Sequence, residues 1–122
     1  MSDDVTHRLD QGIDAFNDEA FFEAHDMLED LWMDIRGSER SFFQGLIQLA
    51  IGYYHLSVDN PVGATHLLER ALDKLEAYAP AHRDIQLAPL MKTVRQTLAR
   101  IDKEPDQGAW TYPKIGRGDA VG

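Results

Sequence analysis

The chain has no cysteine, only four lysines, and no apolar run approaching the length of a membrane span. Each shortage removes a class of protein. Without cysteine there is no disulfide framework, no thiolate zinc site and no cysteine nucleophile, so any metal would be held by histidine nitrogen and carboxylate oxygen. A bilayer-crossing helix needs roughly 20 mostly apolar residues, and no basic N-terminal segment leads into an apolar core, so the chain reads as cytoplasmic and soluble. Basic charge is short as well: 12 Lys and Arg face 21 Asp and Glu, for a formal charge of −9. A surface of that sign repels phosphate backbones and anionic membranes before contact, so neither nucleic acid nor membrane is expected as a partner. The acid is weighted to aspartate, 14 Asp to 7 Glu, and the base to arginine, a balance found on proteins that stay soluble in high salt.

What remains is enough for a core. The 122 residues are 43% hydrophobic and 27% charged without low-complexity runs, which fits one globular domain. Helical periodicity holds almost throughout, and strand-like alternation bounded by turn residues is absent. The expected fold is all-α, a compact, helical-repeat-like bundle of about five helices in two antiparallel hairpins. Residues 1–104 form that bundle, and 105–122 form an extended C-terminal tail that packs on it through Trp110, Tyr112 and Ile115.

The first helix is expected over Val5 to Phe16, with Asp18 placed to cap the second, from about Glu19 to Ile35. At 100° per residue, Phe21, Ala24, Met27, Leu28, Leu31, Trp32 and Ile35 form an inward arc, and Glu23, Asp26, Asp30 and Asp34 a solvated acidic one. His25 and Glu29 fall in neither. They occupy a rim beyond Trp32, one turn apart, where they could share a hydrogen bond, a proton or a metal ion. Gly37-Ser38 breaks the chain, Ser38 reads as a cap, and helix three, from about Glu39 to Ser57, is apolar nearly all round. Its polar exceptions, Gln44, Gln48 and His55, lie within about 40° on the wheel, with Arg40 one turn before. The turn at Gly37 would bring Glu29 near Gln44 and Gln48, and His25 near Gln48 to His55. Asn60-Pro61 opens helix four, to about Tyr78, and Pro80 closes it. Ala81 to Ala88 is expected as a loop with His82 solvated, Pro89 opens helix five, and Pro105 ends the helical region. Ala24, Met27, Leu28, Glu29 and Ile35 align with Ala64, Leu67, Leu68, Glu69 and Leu75 at an offset of 40 residues, as two stacked hairpins would.

Phe21-Phe22-Glu23-Ala24-His25-Asp26-Met27-Leu28-Glu29-Asp30-Leu31-Trp32, then Arg40, Phe43-Gln44-Gly45-Leu46-Ile47-Gln48, Tyr54-His55 and Asn60, resembles the family called domain of unknown function 309. The E-x-H-acid-x-x-E-x-x-W helix followed by a Q-G-L-I-Q helix carries the resemblance over roughly Asp10 to Tyr78. It implies a small all-helical fold and no assigned activity. Its motif falls on Glu23, His25, Asp26, Glu29, Trp32, Arg40, Gln44, Gln48 and His55, with Asp26 where the family commonly has Glu.

Four uses of the polar cluster stay open. It could be a structural hydrogen-bond network that fixes the register of helices two and three, or an uncharacterised ligand site at Trp32, Arg40, Gln44, Gln48 and His55. It could hold a divalent metal on His25, Glu29 and His55 with a position left for water. A third use is metal-dependent or acid–base hydrolysis by His25 and Glu29, with the glutamine amides or Arg40 binding an oxyanion, although no activated serine accompanies them. The fourth is a helical binding module for a protein, a peptide or a second copy of the chain, with Phe22, Trp32, Tyr53 and Tyr54 lining a groove.

Overall fold

Each helix buries one stripe against the next in sequence. In the computed structural model, which describes residues 2–104 and 109–118, α1 is Ser2–Asn17, α2 Phe21–Asp34, α3 Arg40–Ser57, α4 Pro61–Leu75 and α5 Leu87–Lys103. A 3₁₀ turn, Glu76–Tyr78, extends α4, and a short antiparallel hairpin, β1 Ala81–His82 and β2 Ile85–Gln86, leads into α5. Pro105, expected to end the helical region, lies outside the described residues. No described helix is long and apolar enough to cross a membrane.

The central element is α3, which buries Phe42, Phe43, Leu46, Leu49, Ala50, Tyr53 and Leu56 and packs on both α2 and α4. Two glycines set its distance from α4. A Cβ placed on Gly45 would stand 2.9 Å from Leu75, and one on Gly52 2.8 Å from Leu68, both closer than carbon atoms approach. Asn60 starts α4 as its sequence indicated: the side chain accepts from the Gly63 N–H at 3.0 Å, and Pro61 takes the first position, where no N–H is needed. Other caps differ. Ala20 rather than Asp18 precedes α2, and Ser38 offers its carbonyl to the Tyr78 hydroxyl at 2.7 Å instead of capping α3. Met27, assigned inward, is 43% exposed: it lies at the edge of the α2 arc that buries Ala24, Leu28 and Leu31.

The expected loop at 81–88 is in part a β-hairpin. Arg83 and Asp84 both have positive φ (50° and 63°), the geometry of a type I′ turn. The Pro80 carbonyl then accepts from Leu87 and Ala88, so α5 begins two residues before Pro89 with its first donors satisfied. Residues 109–118 run back over the bundle. Asn17 holds Ile115 through both halves of its amide, Tyr112 packs edge-on against Phe21, and Trp110 lies under the Arg100 guanidinium.

Tyr53 ties α3 to α5. The Thr97 hydroxyl donates to the Thr93 carbonyl, so it can only accept from Tyr53, 2.9 Å away and fully buried. Burial pushes the Tyr53 phenol up to about 12, from 10.0. A proton held more tightly in the folded state stabilises the fold below the unfolded value and ceases to do so as pH rises through the folded one. Wild-type stability should therefore decline between pH 10 and about 12 through this group. Tyr53→Phe should cost about 1 kcal/mol at neutral pH and soften that alkaline limb, as read by urea denaturation across the range.

Candidate functional site on the α2–α3 face

Phe22, His25, Glu29, Trp32 and Arg36 recur along α2 and just beyond it at alternating spacings of three and four, and Arg40, Gln44, Gln48, Ile51 and His55 recur along α3 at spacings of four, four, three and four. Because the helices form a hairpin, the two stripes run side by side. Most of these side chains are half-buried, while Phe22 and Met33, near opposite ends of the α2 stripe, are 49% and 61% exposed. At one end, the Phe22 ring lies 5.3 Å from Tyr54 and 5.8 Å from His25. At the other, the Arg40 guanidinium sits 4.1 Å over the Trp32 indole and donates to the carbonyls of Trp32 and Ile35 at 3.2 and 2.7 Å. α2 ends there, so these carbonyls have no partner one turn on; Trp32 O also accepts from the Ile35 N–H at 3.1 Å and Ile35 O from Arg36 at 3.3 Å, and a cation suits that end of the helix. Trp32, Met33, Arg36 and Arg40 line a shallow, open depression.

Between the two ends the polar side chains converge without pairing. His25, Asp26 and Glu29 each bring one ligand atom within 4.8 Å of the others, and His25 Nδ1 stands 3.4 Å from the Asp26 carboxylate. Three atoms out of contact with water have no hydrogen-bond partner: His25 Nδ1, Trp32 Nε1 and Gln48 Oε1. Among the described residues, no side-chain hydrogen bond joins His25, Glu29, Gln44 and Gln48, so the network expected between the helices is not closed. His55 stands apart from the group of three. The Asn60 amide is oriented by its bond from the Gly63 N–H, so its Nδ2 donates to His55 Nδ1 at 3.3 Å and leaves the ring proton on Nε2. The carboxylate that joins His25 and Glu29 is Asp26, the adjacent residue on the helix.

A second polar node escaped the sequence reading. His82, expected in solvent, donates to Glu39 at 2.8 Å and lies against the rings of Phe42 and Tyr78 at 4.6 and 4.9 Å. Arg83 grips the same carboxylate with two bonds, 2.7 and 2.8 Å. The only local signal was a polar pair, Arg83-Asp84, flanked by His82 and Ile85, without the Asn-Gly or Asp-Gly that announces a I′ turn. Beside it, Thr6, Leu9, Asp10, Arg83, Asp84 and Arg117 line a cleft of about 320 Å³, in which Arg117 pairs with Asp10.

With the geometry of the two-helix face established, comparison with known proteins locates it. Residues 9–67 match the family described as Domain of unknown function (DUF309). The matched span starts within α1 and ends within α4, so it contains the whole α2–α3 face and stops short of the β-hairpin and α5. The resemblance drawn from the two motif helices thus extends over the elements that carry them. A curated relative, the Uncharacterized protein YpuF of Bacillus subtilis (strain 168), is 30% identical over 87 residues, which are 66% of this chain and 50% of that protein. The chain spans about half the length of that curated relative.

Arg83 hydrogen bonds, with help from His82, hold the Glu39 carboxyl down at about 2 against an ordinary 4.5. A carboxylate depressed in the folded state stabilises the fold above its unfolded value and loses that contribution as pH falls toward the folded one. Glu39→Gln should lower stability by about 1–2 kcal/mol at neutral pH. The difference from wild type should close between pH 4.5 and about 2, and a difference independent of pH over that window would show that the charge is not what matters.

Proposed function

We propose that this chain is a non-catalytic cytoplasmic binding module whose recognition surface is the α2–α3 face, built from His25, Glu29, Trp32, Arg40, Gln44, Gln48 and, at its edge, His55. One observation carries this reading: among the described residues, three polar atoms on a single face are withdrawn from water without a hydrogen bond, His25 Nδ1 having only the Asp26 carboxylate at 3.4 Å. Each such atom costs about 1–3 kcal/mol, a cost that a face kept only for folding would shed by substituting apolar residues. A face that must later pair those atoms retains them. Exposed Phe22 and Met33 supply apolar contact at the two ends. Acid–base hydrolysis is less well supported, since Arg40 is committed to the indole and to two carbonyls and is not free to bind an oxyanion.

The test needs no partner in hand. Gln48→Met keeps volume and removes the unpaired amide, so the isolated chain should become more stable by about 1 kcal/mol, read as a rise in the thermal or urea midpoint. A loss of stability instead would make Gln48 part of a structural network and overturn the proposal.

A second reading is favoured by a separate observation, the convergence of His25, Asp26 and Glu29 within 4.8 Å. On this reading the face binds a divalent cation through one nitrogen and two carboxylate oxygens. A cation that binds only the folded chain must stabilise it, by about 2.7 kcal/mol at a concentration of 100 Kd. Zinc, manganese, nickel or iron(II) should then raise the melting temperature of metal-stripped wild type and leave His25→Ala unmoved; no shift with any of the four ends the cation reading.

A further inference from the structure

We propose that the cleft between α1, the β-hairpin turn and the C-terminal segment binds a free α-amino acid with an apolar side chain, held by its carboxylate and its ammonium together. The cleft, about 320 Å³, is bounded by Thr6, Leu9 and Asp10 of α1, by Arg83 and Asp84 at the turn and by Arg117. That volume lies at the small end of the range in which proteins hold small molecules. Three stretches of chain far apart in sequence meet to form it.

The groups left open to a ligand follow from the partners these side chains already have. Asp10 and Arg117 pair with each other. Arg83 commits Nε and Nη2 to the Glu39 carboxylate, at 2.7 and 2.8 Å, which leaves its Nη1 edge. Arg83 and Asp84 are neighbours of opposite charge, yet the guanidinium turns to Glu39 and the Asp84 carboxylate stays exposed. Among the described residues, Arg83 Nη1, the Asp84 carboxylate and the Thr6 hydroxyl have no hydrogen-bond or ion-pair partner. The open groups are therefore one cationic edge, one carboxylate and one hydroxyl that can donate or accept, beside the buried Leu9 side chain. Arg83 also holds a φ of 50°, which arginine does not favour, at a turn where Asn or Gly would reverse the chain with less strain. The Glu39 bonds account for arginine there; no contact within the chain accounts for a carboxylate at Asp84.

Charge selects the ligand. The charged groups of the cleft, with the carboxylate bonded behind it, are Asp10, Glu39 and Asp84 against Arg83 and Arg117, and His82 shares Glu39. An anion alone would meet Asp84 unopposed, and a cation alone would meet the Arg83 edge. A ligand carrying both charges a few bonds apart answers each side chain with its opposite. An α-amino acid has that arrangement, with its carboxylate to the guanidinium, its ammonium to Asp84 and an apolar side chain toward Leu9.

Isothermal titration calorimetry on the full chain with glycine, L-alanine, L-valine and L-leucine, over about 0.1 to 10 mM, should show binding that is stronger for L-valine or L-leucine than for glycine. N-acetyl-L-leucine lacks the ammonium and L-leucinamide the carboxylate, and each should bind roughly tenfold or more weakly than L-leucine. Asp84→Asn should lose a similar factor while keeping the wild-type melting temperature, because asparagine accepts positive φ as aspartate does. Backbone amide shifts at L-leucine saturation should centre on Thr6, Asp84 and Arg117. No binding of any of the four amino acids overturns the proposal. So does L-leucinamide or N-acetyl-L-leucine binding as tightly as L-leucine, since one charge would then suffice. Amide shifts centred elsewhere, or an Asp84→Asn that binds as wild type does, overturn the assignment of the cleft.

Discussion

The close approach of α3 to α4 at Gly45 and Gly52 is the constraint on which the remaining packing depends. With no Cβ at either position, Leu75 and Leu68 seat directly against the α3 backbone, and α4 covers a side of α3 that longer residues would hold open. α2 takes another side and Thr97 of α5 reaches Tyr53, so α3 is largely enclosed between its ends, with Arg40, Gln44, Gln48, Ile51, Tyr54 and His55 only part-buried and Ser41 and Ser57 exposed. The glutamines and His55 lie on that part-buried strip, where their amides and ring are not surrounded by aliphatic carbon. The candidate site is therefore a consequence of how completely the rest of the helix is covered.

Arg40 and Glu39, adjacent at the start of α3, divide the labour of holding the two ends of the fold to it. Arg40 turns toward α2 and closes the carbonyls left open where that helix stops. Glu39 turns the other way and collects His82 and Arg83, which fixes a hairpin whose two turn residues sit in the left-handed region. Aspartate tolerates that conformation but arginine does not favour it, and a two-bond grip on a carboxylate is the kind of interaction that can maintain it. The hairpin in turn sets Pro80 where its carbonyl receives the first N–H groups of α5.

Much of this arrangement was legible in the residues, and the failures share a cause. Helix number, the α2–α3 turn at Gly37 and the start of α4 at Asn60-Pro61 follow from local chemistry, and local chemistry is what a sequence states openly. The two-helix stripe was legible too, because 3.6-residue periodicity assigns a face without needing to know the neighbour. What could not be seen was how much of each face a neighbour covers. Met27 lies at an angle consistent with burial, at the edge of the arc, yet is 43% exposed. His82 looked solvated because its partner Glu39 is 43 residues away, and no spacing rule links a two-residue turn to a distant helix start. His55 lies on the same stripe as Gln48 yet is bound forward to Asn60 at the α4 N-cap.

That asymmetry bears on the unpaired atoms. Where this chain buries polar groups for stability it satisfies them in full: Tyr53 through Thr97, Glu39 through His82 and Arg83, Asn17 through both atoms of its amide. The chain therefore closes its structural polar contacts at three separate places, on three different elements. His25 Nδ1, Trp32 Nε1 and Gln48 Oε1 depart from that practice together and on one face. Scattered defects of packing would fall on any element; among the described residues they are concentrated along one strip of α2 and α3.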